Sequence, residues 1–126
     1  MFKGLAAAVV VMIVVQAALA GQGWFGGQLG LIAVHGWVGN ASYVAVIVLA
    51  GMAVVGLRRG WGRLPLALAL GLVLLMTAQL GFGYMGRRLA WAAALHIPNG
   101  VLITALAAGL LAVALLTRPT VELETR

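Results

Sequence analysis

Few side chains in this sequence could do chemistry, and the two that stand out are His35 and His96. Each lies in a long apolar run, where an ionisable residue is rare and needs a specific partner. Their settings match. Gln16 opens a glycine-punctuated stretch ahead of His35, and Gln79 opens a similar one, Leu80-Gly81-Phe82-Gly83, ahead of His96. A small residue follows each Gln by four positions (Ala20, Gly83), a glycine follows each His by four (Gly39, Gly100), and an asparagine stands near each His (Asn40, Asn99). The pattern reads as a weak internal duplication, two helical hairpins repeated in parallel.

What the sequence lacks limits what such a pair can do. There is no cysteine, and the only two acids, Glu122 and Glu124, stand near the end of the chain. A disulfide framework, a thiolate metal site, a cysteine nucleophile and a covalently attached c-type haem are thereby excluded. No carboxylate accompanies either histidine, so acid–base pairs, proton relays and carboxylate metal sites are not expected. Two imidazoles alone make a poor zinc or non-haem iron site. The 18 glycines follow loops and helix faces and form no phosphate-binding motif. Enzymatic chemistry is not supported by these residue types. Two readings remain: ligation of a metal by two nitrogens, or hydrogen bonding between helices.

The elements that must position the pair follow from composition. Of 126 residues, 64% are hydrophobic and 8% charged, with a mean hydropathy of +1.14. That leaves too little polar material to cover a soluble domain, and too much apolar material for a disordered chain. An integral membrane protein is expected. A spanning helix needs about 20 apolar residues, and four stretches qualify, roughly 2–20, 29–57, 64–85 and 89–117. Short connectors make successive helices antiparallel neighbours, so the expected fold is all-α: a four-helix up-down bundle built from two repeated hairpins. A β-barrel is not expected, since period-2 alternation is absent. Lys3, the first apolar run and Ala18-Leu19-Ala20 also resemble a secretory signal with its cleavage site. Retained in the chain, the segment is expected as the first helix.

Four spans put both termini on one side, together with the second connector. That side carries Lys3, Arg58, Arg59, Arg63, Arg118 and Arg126, while the other carries only Arg87 and Arg88. The positive-inside rule then places the termini, and a polar tail over 118–126, in the cytoplasm of a bacterium, with the helices in its inner membrane. The net charge of +6 is accounted for by this topology and by anionic lipid headgroups, not by nucleic acid.

On this plan both histidines descend from the outer face to about 9–12 Å depth, at about 1.5 Å per residue. The second and fourth helices can lie diagonally, with axes about 11–14 Å apart where neighbours are about 8–10 Å apart. Such a gap can hold two imidazoles with an iron between them. Gly39 and Gly100 share the histidine faces, with Ser42 continuing the small face of the second helix, and would leave space for a flat macrocycle. These are the requirements of a bis-histidine haem b. The same glycines could serve helix packing alone, and Gln16 and Gln79 could either bond across helices or support the imidazoles. Arg87 and Arg88 either pair with haem propionates or anchor the outer interface. Trp24, Trp37, Trp61 and Trp91 fit an interfacial belt. Pro98 either interrupts a helix begun near Leu89 or marks the start of its regular part.

Through Gln16, Gly21–Phe25, His35, Gln79 and the run Ala94-Leu95-His96-Ile97-Pro98-Asn99-Gly100, the chain resembles an uncharacterised family of small four-helix bacterial membrane proteins. More distantly it is similar to one four-helix half of haem A synthase, in which histidines on the second and fourth helices face a haem. The resemblance implies His35 and His96 as the axial pair. It departs from the synthase in having no glutamate comparable to the catalytic acid, so haem binding or electron transfer is implied and synthesis is not. The expected function is a small b-type cytochrome with one haem b, working alone or as a subunit of a respiratory or photosynthetic redox complex. A cofactor-free accessory subunit and a chlorin-binding protein are the alternatives.

Overall fold

In lipid no water is available to bond backbone N–H and C=O groups, so long apolar runs must satisfy them internally, as helices do. The computed structural model describes residues 1–116 and forms four helices, α1 (Phe2–Trp24), α2 (Leu29–Arg58), α3 (Leu64–Met85) and α4 (Ala90–Leu116). All four are long and apolar enough to cross a membrane. The expected tail 118–126 lies outside the described residues, as does Thr117. At 30 residues, α2 is about 45 Å long, well beyond a hydrocarbon layer of about 30 Å, and is accommodated by tilt or projection.

α1 runs one turn further than the sequence suggests, because Gly21-Gln22-Gly23 stays helical. Gly23 is buried against Ile32 of α2, and a Cβ there would overlap that side chain. The close helix contact offsets the cost of glycine within a helix, about 1 kcal/mol. The turn that remains pivots on Gly27, at φ 69°. The second connection turns on Gly60 and Gly62, at φ 81° and 79°, conformations that side chains with a Cβ rarely adopt. Pro65 stands in the first turn of α3, where its missing N–H is not needed. Pro98 lies inside α4, so the helix has begun well before it and His96 is an interior helical residue.

α1 packs on α2, α3 on α4, α2 on α3, and α1 on α4. No Cα–Cα approach within 8 Å joins α2 to α4, or α1 to α3. These are the diagonals of a four-helix bundle made of two antiparallel hairpins. Its apolar core lies toward the end that carries the N-terminus, the terminal end. Val9, Leu49, Leu72, Ile103 and Leu110 are fully buried there, with Phe2, Met76 and several alanines. Trp61 closes this end. Its ring lies 5.2 Å from that of Phe2, edge to face, and rests on Gly56, where a Cβ would overlap it. Lys3 Nζ donates to the Leu115 carbonyl at 3.4 Å, a cation at the C-terminus of α4 where the helix dipole favours it.

The opposite, distal end is built differently. Across residues 10–24, 29–43, 77–89 and 90–102, no apolar side chain larger than alanine is fully buried. Polar residues line the interior at this level.

Candidate functional site

His35 and His96 lie in that distal half, each six residues into its helix, about 9 Å along the axis. Their helices are diagonal, yet the two rings meet across the bundle. The centroids are 6.1 Å apart, with 68° between the ring planes. A metal bonded to one nitrogen of each ring at about 2.0–2.1 Å needs centroids about 6 Å apart. That match is in centroid distance alone: His96 Nε2 is turned to the Gln79 amide, so the two rings form no metal site as they stand.

Each imidazole is held by a backbone carbonyl of the preceding helix. His35 Nδ1 donates to Gln16 O at 3.0 Å, and His96 Nδ1 donates to Gln79 O at 3.2 Å. A carbonyl can only accept, so Nδ1 carries a proton in both rings, and in His96 the Gln79 amide donor marks Nε2 as the nitrogen with the lone pair. An N–H bonded to a backbone carbonyl is the usual way a metal-binding histidine has its tautomer and orientation fixed. The two glutamines of the duplication thus do the same work in both hairpins, through their main chain.

The side chains of those glutamines do not behave alike. Asn99 is 7% exposed, and its amide nitrogen donates to Leu75 O at 2.9 Å and to Gln79 Oε1 at 2.7 Å. The Leu75 carbonyl fixes which end of the Asn99 amide faces α3, and Asn99 in turn fixes the Gln79 amide. Gln79 Nε2 is left to donate to His96 Nε2 at 3.3 Å. At the matching place in the first hairpin, three residues after His35, stands Val38. Among the described residues the Gln16 amide has no hydrogen-bond partner, and neither has His35 Nε2.

Gly39 and Gly100 lie under these amides. A Cβ on Gly39 would stand 2.7 Å from Gln16 Nε2, and one on Gly100 would stand 3.2 Å from Gln79 Nε2. The space expected for a macrocycle is, beside these two glycines, occupied by glutamine side chains. Gly83 serves His96 directly, since a Cβ there would come within 3.1 Å of the imidazole Cε1. Ser42 is fully buried and bonds back to Val38 O at 2.7 Å.

Arg87 and Arg88 sit in the connection between α3 and α4, about one turn beyond Gly83 and so above His96. With Tyr84, Met85 and Leu89 they line an open cleft of about 480 Å³. The Arg87 guanidinium lies 5.6 Å from the centre of the Tyr84 ring. No acid is available to either arginine among the described residues.

Asn40 and Asn99, paired in the sequence reading, have different roles. Asn40 is exposed and exchanges hydrogen bonds with Tyr84 Oη at 3.1 and 3.3 Å, while Tyr43 Oη meets Thr77 Oγ1 at 3.1 Å. Both contacts tie α2 to α3. Sequence reasoning missed these tyrosines and the clamping role of Asn99. The available signal was spacing: Asn99 follows its histidine by three residues and shares its face, whereas Asn40 follows by five. Trp24, Trp37 and Trp91 are exposed, as an interfacial belt requires, whereas Trp61 is packed into the terminal end. Among the described residues no group of three or more His, Cys, Asp or Glu could hold a metal. Compared with known proteins, the chain matches no family model, no curated protein and no solved structure.

Proposed function

We propose that this protein is a membrane b-type cytochrome in which His35 and His96 hold one haem b from opposite sides, for electron transfer alone or within a larger redox complex. The observation that carries the reading is the matched pair of Nδ1–H anchors on Gln16 and Gln79, in two rings 6.1 Å apart across the bundle diagonal. The donor set suits the group: two imidazoles, no cysteine in the chain and no carboxylate among the described residues. The distal half, lacking large buried aliphatic side chains, is the part of the bundle that could open around a flat ring. Bound there, haem would supply one-electron redox chemistry. The protein's own part is to fix both tautomers and to surround the site with lipid-facing helices that keep water away. Arg87 and Arg88, with no acid beside them among the described residues, supply positive charge one turn above His96, suited to carboxylate side groups. On this reading the helices lie in a bacterial inner membrane with both termini cytoplasmic, as the arginine and lysine distribution supports.

The test is a pyridine haemochromogen spectrum of the purified protein, followed by spectra of His35→Leu and His96→Leu. Leucine is well tolerated in a spanning helix, so loss of the six-coordinate low-spin spectrum reports lost ligation. A wild-type protein that takes up no haem sinks the proposal. One observation favours a second reading, the cofactor-free accessory subunit: among the described residues no buried side-chain nitrogen or oxygen lacks a hydrogen-bond partner. The fully buried polar atoms of the cluster are all paired, and the Gln16 amide and His35 Nε2, which are not fully buried, stand outside that pairing.

A further inference from the structure

At the distal end, the connection from α3 to α4 carries two adjacent exposed arginines, and no acid stands beside them among the described residues. The backbone that presents Arg87 and Arg88 is tightly set. Arg88 N and Leu89 N both donate to Met85 O at 2.9 Å. Gly86 lies so close to α4 that a Cβ there would stand 3.1 Å from Ala93 Cα. The Arg87 guanidinium rests 5.6 Å from the centre of the Tyr84 ring, within reach of a cation–π contact. Neither guanidinium has a hydrogen-bond acceptor among the described residues. The first N–H groups of α4, on Ala90 and Trp91, have none there either, and they add the positive end of a helix dipole to the same turn.

The surroundings select the kind of anion. The open cleft of about 480 Å³ has an apolar wall from Met85 and Leu89, both exposed where spanning helices end. Tyr84 lies one turn before Arg87, about 4.5 Å nearer the bilayer centre. There its hydroxyl and the Asn40 amide form an exposed polar pair. Trp91, exposed in the first turn of α4, marks the level of the interface. Cationic groups outermost, hydrogen-bonding groups one turn deeper and an apolar wall alongside match the order of phosphate, ester and acyl chain in a phospholipid.

We propose that Arg87 and Arg88 form the headgroup site for one anionic phospholipid. Its phosphodiester accepts forked hydrogen bonds from the guanidinium groups, its ester region meets Tyr84 and Asn40, and its acyl chains lie along Met85 and Leu89. The inference uses neither histidine, and neither rests on the cytochrome reading nor fails with it. It assigns the arginines a phosphate where that reading gives them haem carboxylates.

The test is native mass spectrometry of the full chain released from micelles that contain phosphatidylglycerol and phosphatidylcholine. The wild type should retain one phosphatidylglycerol in preference to phosphatidylcholine. An arginine near the membrane surface strengthens anionic-lipid binding about fivefold, so Arg87→Gln with Arg88→Gln should weaken retention about 25-fold. Arg58→Gln with Arg59→Gln removes as much charge from the terminal end and should cost less than about fivefold. Arg87→Lys with Arg88→Lys keeps the charge but loses the planar fork, and its effect should fall between those two. Circular dichroism checks that each variant is folded, and Arg88→Gln alone, at about fivefold, replaces a double variant that is not. Excess inorganic phosphate or glycerophosphoglycerol, which lack acyl chains, should not displace the lipid. Displacement would make the cleft a site for soluble phosphate esters and overturn the lipid assignment. A wild type that keeps no phosphatidylglycerol, a lysine pair that binds as the wild type does, or equal losses from the two glutamine pairs overturns the site itself.

Discussion

Replacing Asn99 by leucine tests whether the distal end is held by polar clamps instead of by a core. Leucine is close to asparagine in reach, suits lipid, and is the better helix former by up to about 0.5 kcal/mol. What it removes is a pair of hydrogen bonds from α4 to α3, at 2.9 Å to Leu75 O and 2.7 Å to Gln79 Oε1. Asn99 is almost fully buried, so no water replaces them. Interhelical hydrogen bonds in membranes average about 0.6 kcal/mol and reach about 1.7, so two of them contribute about 1–3 kcal/mol. After the gain in helix propensity the net loss should be about 0.5–2.5 kcal/mol. The assay is reversible unfolding of the purified protein in mixed micelles with increasing sodium dodecyl sulfate, followed by circular dichroism. Asn40→Leu is the comparison. It breaks the exposed pair with Tyr84 and should cost less than about 1 kcal/mol. If Asn99→Leu is as stable as the wild type, or if Asn40→Leu costs as much, the clamp argument fails.

Gly56→Ala should destabilise the bundle by about 1–3 kcal/mol, because the new methyl must displace the Trp61 ring from its place against Phe2. Gly51→Ala, in the same helix with open space around it, should be neutral or stabilising by up to about 1 kcal/mol in the same unfolding assay. A reporter fused at the C-terminus should be active only in the cytoplasm. A periplasmic C-terminus would reverse the orientation and place the histidines in the inner half of the bilayer. If haem is taken up as proposed, changing Arg87 and Arg88 together to Gln should lower its midpoint potential or weaken its retention, since two positive charges are removed from above the site. An unaltered potential and affinity, measured by redox titration, would leave the pair as interfacial anchors.

Class, span number and hairpin pairing follow from sequence alone because they rest on one strong physical demand. A backbone in lipid must satisfy its own hydrogen bonds, which without period-2 alternation means helices, and connectors of a few residues leave antiparallel neighbours as the solution. The histidine pair was legible for a related reason: ionisable residues are so costly in apolar spans that two at matched depth stand out. Tertiary structure decided the rest. Whether Gly23 ends a helix or packs within it depends on Ile32 of the neighbouring helix, which local propensity does not contain. The use of Gly39 and Gly100 as seats for Gln16 and Gln79 depends on which side chain arrives opposite them. The inequality of His35 and His96 depends on Asn99 lying within reach of Leu75 and Gln79, residues 24 and 20 positions away in the chain. A repeat in sequence predicts like positions on like helices. Hydrogen bonds formed across helices are set by single side chains at the contact, and there one asparagine against one valine is enough to break the symmetry.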